Sequence, residues 1–245
     1  LRARQQTTLA KYIHKVQWVD ALPDLISGVV VGNEVLDAMP VQLLHRQSGT
    51  WYERGVEWHE AFAWKDRPTD ARPPLEIEGD HDYLTEIHLQ AHAFIQTLAD
   101  RLLASQKTTG QGGAVFLIDY GFPELEYFHP QRHMGTLMCH QLHRADPDPL
   151  HDVGAKDITA HVDFTGIALA AQDAGLHVLG YTTQAHFLIN CGLLQPLVDA
   201  PLHEKAMAQK LITEHEMGEL FKVIALGTHA WEPMGFKQGD RSHTL

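Results

Sequence analysis

An amide and two carboxylates follow one strongly apolar segment of the chain. Asn33, Glu34 and Asp37 lie in the stretch GVVVGNEVLD, which covers residues 28–37. Two carboxylates about one helical turn apart could transfer protons, bind a metal ion or clamp a guanidinium group through charge-assisted hydrogen bonds. No spacing rule chooses among these chemistries. A structural role is equally open, because Asn and Asp side chains often cap the helix that follows a strand.

Asp119 and Tyr120 occupy the same kind of position after a second apolar run. The stretch VFLIDYG, residues 115–121, has the pattern of a buried strand that ends in polar groups. Asp20 follows a third and shorter run, VQWV at 16–19. In open parallel sheets, ligands bind beyond the carboxyl ends of the strands. The sequence therefore predicts a functional site where these three strands end.

The 18 histidines raise the question of a metal site. Six of them fall between residues 129 and 161, and His140 and His143 are three residues apart. Zinc sites combine such a pair with cysteines or with a second well-spaced pair, and nothing in the sequence completes one. A histidine-rich polar surface is the simpler interpretation, so no metal is predicted. The sequence also lacks a P-loop, a GxSxG elbow and an HExxH motif.

The charge of the chain restricts the class of partner. With 19 basic and 31 acidic residues, the net charge is −12, which argues against nucleic acid because phosphate binding needs a basic surface. A basic protein or peptide suits this charge. The apolar runs are too short to span a bilayer, so no membrane partner is expected. Two cysteines without a CxxC pair favour a reducing compartment.

The hydrophobic pattern predicts an α/β fold with a mostly parallel sheet and helices on both of its faces. Strands are predicted at 16–19, 26–31, 114–119, 135–142, 177–181 and 221–226. Helices are predicted at 1–15, 83–106, 163–174 and from 184 onward. Residues 41–47 and 51–58 predict an antiparallel hairpin, and the charged, proline-containing segment 59–82 is expected to be irregular.

Four segments together resemble one known family. In chain order they are GNEVLDAMPV, GGAVFLIDYG, MGTLMCHQLHRADPDPLHDVGAKDITAHVDF and TQAHFLINCGL. They are similar to the MidA-like S-adenosylmethionine-dependent methyltransferases, a family that includes a mitochondrial complex I assembly factor that dimethylates an arginine. The resemblance runs from residue 1 to about residue 226. It implies a class I methyltransferase (Rossmann-like) fold, S-adenosylmethionine as the cofactor and a protein arginine as the acceptor.

The resemblance also implies roles for single residues. Asn33 and Glu34 would lie beside the transferred methyl group, with Glu34 as the main catalytic residue, Asp37 or Asp119 assisting and Asn33 also touching the cofactor. Asp20 would contact the adenine of the cofactor. The residues expected on the acceptor side are Asp119, Tyr120, His143, Asp157, Thr159, His161 and Asp163.

The family's first strand, its Gly-rich turn and the acid after its second strand have no counterpart in this chain. Residues 1–245 are therefore expected to be the later portion of a methyltransferase domain, with an insertion at about 41–106, and to bind the cofactor poorly by themselves. A divergent product with a rearranged sheet and no cofactor site is the alternative.

Two further functions stay open at this point. One is a non-catalytic assembly module that keeps the fold and binds a partner protein, and the other is a small-molecule methyltransferase. The hairpin at 41–58 and the helix at 83–106 offer a surface for a homodimer or for a partner, and the sequence does not choose between them. The expected compartment is a bacterial cytoplasm or a mitochondrial matrix.

Overall fold

Three sheets organise the computed structural model, which describes residues 1–142 and 144–245. The strands are β1 (Gly28–Asn33), β2 (Gln42–Gln47), β3 (Thr50–His59), β4 (Ala61–Pro68), β5 (Tyr83–Ile87), β6 (Gly113–Phe122), β7 (Met138–Gln141), β8 (Arg144–Asp146), β9 (Asp157–Thr159), β10 (Val162–Asp163), β11 (His177–Thr183) and β12 (Phe221–Gly227).

In the described part of the chain, seven α-helices connect or cover these strands. They are α1 (Arg2–Thr8), α2 (Leu89–Thr109), α3 (Glu124–Tyr127), α4 (Phe164–Asp173), α5 (Gln184–Asn190), α6 (Leu194–Leu197) and α7 (Leu202–Ile212). Short 3-10 turns lie at Ala10–Lys15, Met234–Phe236 and Ser242–Thr244, and a π-turn lies at Glu214–Gly218. Among the described residues no helix is long and apolar enough to cross a membrane.

The central sheet has the strand order β1–β6–β12–β11, and β10 pairs with the end of β6. β1 and β10 run parallel to β6, whereas β12 runs antiparallel to both β6 and β11. The predicted α/β class is confirmed, and the reversed direction of β12 makes the sheet mixed. β1 is an edge strand in the described part of the chain, where Val29 and Val31 are 66% and 67% exposed.

Helices cover both faces of β6, as predicted. Alternate side chains of a strand point to opposite faces, so Val115 and Leu117 join the core formed with α2 and α4. Phe116 and Ile118 face the other side, where they pack near Phe187 of α5. The buried residues of α2 recur every three or four positions, which is the spacing of one helix face: Ala91, Ile95, Leu98, Ala99, Leu102 and Ser105.

The segment predicted as an insertion forms a second sheet, with the order β4–β3–β2–β5, followed by most of α2. The predicted hairpin is confirmed as β2 and β3, whose register pairs Gln47 with Thr50. A cluster of aromatic residues, among them Trp51, Tyr83 and Tyr127, fills the core beneath this sheet.

Three predicted elements are wrong. Residues 16–27 contain no helix or strand, because the apolar run at 16–19 has no neighbouring strand to pair with in the described structure. Tyr83–Ile87 is strand β5, paired with β2, so the helix begins only at Leu89. Ala61–Pro68 is strand β4 and not irregular, since it continues the hairpin by pairing with β3.

Candidate active site

The ends of β1 and β6 and the start of β12 lie at one edge of the central sheet. Asn33 at the end of β1 pairs with Ile118, and Phe221 at the start of β12 pairs with Tyr120. β6 extends four residues beyond Ile118, to Phe122. The polar residues that follow β1 therefore lie beside Asp119 and Tyr120, as the strand pattern predicted.

The turn after β1 is held by the Asp119 carboxylate. Glu34 has a φ of +51°, which redirects the chain, and Asp119 Oδ2 then accepts hydrogen bonds from the backbone N–H groups of Val35, Leu36 and Asp37 at 3.1, 2.9 and 3.2 Å. Asp119 is 1% exposed. Burial and the nearby Asp37 charge raise the pKa of Asp119 to about 7, although its backbone N–H bonds act in the opposite direction.

Asp37 is joined to Tyr120. The Tyr120 hydroxyl donates a 2.5 Å hydrogen bond to Asp37 Oδ2, and burial followed by this bond raises the pKa of the phenol above its usual range. Asp37 is only 4% exposed, and its Oδ1 atom has no hydrogen-bond partner among the described residues. One oxygen of this buried carboxylate is thus available to a ligand.

His161 packs against the same tyrosine. Its ring lies 5.2 Å from the ring centroids of both Tyr120 and Phe122. Burial, with smaller effects from the Arg132 and Lys222 charges, lowers the pKa of His161 to about 4, so the imidazole is neutral at pH 7. Its Nδ1 atom is buried and has no partner in the described part of the chain.

These groups surround a cavity of about 710 Å³, the edge cavity. Six of the predicted site residues line it: Glu34, Asp37, Tyr120, Asp157, Thr159 and His161. Its far wall comes from the loop before β7, including Gly135, Thr136 and Leu137. The structure therefore brings together residues that are separated by more than 120 positions in the sequence.

Glu86 positions that far wall, and it is not among the residues predicted from the sequence. It is fully buried. Its Oε1 accepts hydrogen bonds from the backbone N–H groups of Thr136 and Leu137 at 2.7 and 3.0 Å, and its Oε2 accepts one from the Tyr127 hydroxyl at 2.8 Å. Thr136 Oγ1 in turn accepts the His161 backbone N–H at 3.0 Å. Thr136 and Leu137 lie about 50 positions from Glu86, so no local sequence pattern identifies this role.

The other predicted residues within the described chain do not line the edge cavity. Asp20 does not follow a strand, and its 91% exposed side chain lies 3.3 Å from Arg2. Asn33 is next to the edge cavity but donates to Glu34 Oε1 at 3.0 Å without lining it. Asp163 caps α4 through the Gly166 N–H, and burial raises its pKa to about 6. His143 lies outside the described residues. Nowhere among residues 1–142 and 144–245 are three His, Cys, Asp or Glu side chains arranged to hold a metal ion.

The fold and the site define a class of protein. Residues 1–182 match the family described as "Putative S-adenosyl-L-methionine-dependent methyltransferase". Because the match covers most of the chain, the chain belongs to this methyltransferase family. The resemblance in the sequence motifs is thereby confirmed.

Two solved structures from Burkholderia thailandensis share this architecture. One, a COG1565 superfamily member bound to S-adenosyl-homocysteine, is 45% identical with a TM-score of 0.89, over 100% of this chain and 66% of that chain. A native structure of a COG1565 superfamily protein is also 45% identical with a TM-score of 0.89, over 100% of this chain and 68% of that one.

Two curated relatives have more specific names. The mitochondrial protein arginine methyltransferase NDUFAF7 homolog of Caenorhabditis elegans is 26% identical over 228 residues. The mitochondrial protein arginine methyltransferase NDUFAF7 of Xenopus laevis is 26% identical over 240 residues. These matches cover 86% and 88% of this chain but 50% of each relative. The chain therefore spans about half the length of the curated relatives it matches.

Proposed function

We propose that this chain forms the acceptor side of an S-adenosylmethionine-dependent methyltransferase that acts on arginine side chains of a protein. The observation that carries the proposal is the buried Asp37 carboxylate, which is held at Oδ2 by Tyr120 and unpaired at Oδ1 beside a cavity. Family membership supports the methyl donor. The names of the mitochondrial relatives support arginine as the acceptor.

The donor would meet this chain at the end of β1. When bound, S-adenosylmethionine supplies an electrophilic methyl group on a sulfonium centre. Asn33 is the residue whose amide would bind polar groups of the donor, and Glu34 would lie beside the transferred methyl group. Among the described residues, however, no glycine-rich turn opens a helix after a strand, so these residues fit only one flank of the donor.

A guanidinium group fits the carboxylates of the edge cavity. Its planar fork of N–H donors matches carboxylate oxygens in a way that a lysine ammonium does not. Asp37 Oδ1 would bind N–H groups that do not react and draw positive charge toward itself, while the Glu34 carboxylate would bind the attacking nitrogen. Because His161 is neutral, with a pKa near 4, it adds no positive charge that would repel the acceptor.

The attacking nitrogen must lose one proton as its bond to the methyl carbon forms. Glu34 lies at the open end of the edge cavity and is exposed, so it can accept this proton and release it to water. Asp37 is enclosed and hydrogen-bonded, which suits it to orient the acceptor. Asp157 and Thr159, from β9, line the same cavity and would contact the chain on either side of the arginine.

Two measurements test this function. The chain is incubated with a labelled methyl donor and paired peptides that differ only in an arginine or a lysine, and mass spectrometry identifies the methylated residue. Peptide binding is measured separately by calorimetry, with citrulline replacing arginine as the uncharged control. We expect methylarginine in the first assay when the donor is supplied at millimolar concentration, because this chain alone is expected to bind it weakly. In the second assay we expect a preference for arginine over citrulline. Equal binding of the two peptides would contradict an arginine site.

A partner-binding module without catalysis is the second candidate. The exposed edge of β1, where Val29 and Val31 face solvent, favours it, because an open strand can pair with another chain. A module of this kind would bind its partner equally well after Glu34→Gln, with no methyl transfer before or after the change. Either candidate function is compatible with a role in respiratory complex I assembly. Either is also compatible with a location in a mitochondrial matrix or a bacterial cytoplasm.

A further inference from the structure

A second cavity, of about 820 Å³, lies beside the edge cavity, and we call it the flanking cavity. Leu220, which is 44% exposed, lines both cavities. Arg132 of the edge cavity lies over the Phe122 ring at 3.8 Å and donates to Glu126 at 3.0 Å, and both of these partners line the flanking cavity. A peptide lying across Leu220 would therefore reach both cavities.

The flanking cavity carries unneutralised negative charge. Four glutamates line it together with two cations, Lys222 and Arg241. Arg241 is bound to Glu219 at 2.6 and 3.2 Å, and the Lys222 ammonium donates to the backbone oxygens of Glu219 and Leu220. The side chains of Glu214 and Glu216 have no hydrogen bond or ion pair within the described structure. Both cations are engaged, whereas these two carboxylates are available.

A buried hydroxyl in the same cavity also lacks a partner. Tyr181 lines the flanking cavity, is 1% exposed, and its hydroxyl forms no hydrogen bond with the described residues. Burial, together with the nearby Glu126 charge, raises the pKa of this phenol above its usual range. A buried polar group without a partner is unfavourable. An N–H donor from a ligand would give this hydroxyl a hydrogen-bond partner and would add no negative charge to the cavity.

We propose that the flanking cavity binds a basic side chain, lysine or arginine, close in sequence to the arginine that is methylated. The proposal rests on the proposed function and specifies its substrate further: an acceptor segment with at least two basic residues. The flanking ammonium or guanidinium would donate to the Tyr181 hydroxyl and to Glu214 or Glu216. Such a subsite would contribute to affinity and leave the chemical step unchanged.

The test compares labelled peptides by fluorescence anisotropy with the full chain. Each peptide has a central arginine and either lysine or uncharged norleucine at one of the four positions on either side. We expect one lysine position to bind about fivefold tighter than norleucine, the size expected for partly exposed ion pairs. The double variant Glu214→Gln/Glu216→Gln should abolish this preference. Its matched control is Glu204→Gln/Glu232→Gln, which removes the same charge from exposed residues outside both cavities and should keep the preference.

The outcomes separate the subsite from the proposed function. Replacing the central arginine with citrulline tests the edge cavity, whereas replacing the flanking lysine tests the flanking cavity. A lysine preference that survives when the central arginine makes no difference would support the subsite and contradict the arginine acceptor. Equal binding of lysine and norleucine peptides at every position, or an equal loss in both double variants, would overturn the subsite. Tyr181→Phe provides a second check, because it should reduce the lysine preference without altering binding of the norleucine peptide.

Discussion

The Tyr120 hydroxyl holds one oxygen of the Asp37 carboxylate at 2.5 Å and leaves the other oxygen unpaired. Tyr120 lies near the end of β6 and Asp37 in the turn after the neighbouring parallel strand β1, 83 positions apart in the sequence. The bond fixes the orientation of a side chain that is 4% exposed. Because this orientation leaves Oδ1 free beside the edge cavity, the pair links the sheet topology directly to the proposed acceptor site.

The Tyr120–Asp37 bond should be detectable as a coupling in stability. Tyr120→Phe leaves a buried carboxylate oxygen without a donor, so we expect the free energy of unfolding to fall by about 1–3 kcal/mol. Asp37→Asn should cost less in the Tyr120→Phe background than in the native chain. Urea denaturation of the two single variants and the double variant measures this coupling. If the losses of the two single variants sum to the loss of the double variant within about 0.5 kcal/mol, the bond contributes no coupling.

Glu34 combines a strained backbone with the side chain that is proposed to accept the proton. Its φ of +51° is unfavourable for a residue with a Cβ atom, so Glu34→Gly should be as stable as the native chain or more stable by up to about 1 kcal/mol. Glu34→Gln keeps the shape and removes the charge. We expect both variants to lose methyl transfer while the affinity for the cofactor stays largely intact. Substantial transfer by Glu34→Gln would remove Glu34 from the mechanism.

Gly135 should tolerate substitution poorly because of Glu86. Gly135 has a φ of +71°, and a Cβ atom there would lie 2.6 Å from Glu86 Oε1. Gly154 is the matched control, with a φ of +85° and no atom within 4 Å of the added Cβ. Gly154→Ala carries only the backbone penalty of about 1 kcal/mol, and Gly135→Ala should lose more. Equal losses in urea denaturation would mean that Glu86 does not constrain this wall.

The predicted strands are confirmed where an apolar run also has a neighbouring strand to pair with. The apolar runs at 26–31 and 114–119 overlap strands β1 and β6, which pair with each other, and their polar ends lie at one edge of the sheet as expected. The run at 16–19 has equally suitable residues but no partner strand. Strand β4 was missed because Ala61–Pro68 is solvent-exposed along nearly its whole length, which removes the alternation that identifies a strand.

The site was predictable by position but not by role. Asp119 was expected on the acceptor side, yet its oxygen is used by three backbone N–H groups more than 80 positions away in sequence. Such distant capping leaves no local signal. Glu86 was overlooked for the same reason, since its partners Thr136 and Leu137 come from another segment of the chain. Sequence spacing identified the residues at the sheet edge. It could not distinguish residues that hold the backbone in place from residues that are proposed to bind the acceptor.

His161 should remain neutral well below the pH at which histidine usually titrates. Its pKa is lowered to about 4, mainly by burial, whereas in the unfolded chain it is about 6.5. Between these two pH values the unfolded state binds the proton and the folded state does not. The free energy of unfolding therefore decreases as the pH falls from 6.5 to 4. His161→Gln should flatten that part of the stability curve. Ring signals in NMR spectra, assigned by their loss in the variant, would contradict this if they titrated near 6.5.

The affinity for the methyl donor is best tested with its product form. Calorimetric titration of the 245-residue chain with S-adenosyl-homocysteine should show binding weaker than micromolar, because Asn33 and its neighbours would contact only one flank of the donor. Val29 and Val31 stand 66% and 67% exposed along the strand that ends at Asn33, so the adjoining side of the site is open to water. Micromolar binding would show that a complete site exists without a glycine-rich turn after a strand. A folded chain that does not bind would still be expected to recognise an arginine peptide through Asp37 and Glu34, since those contacts do not require the donor.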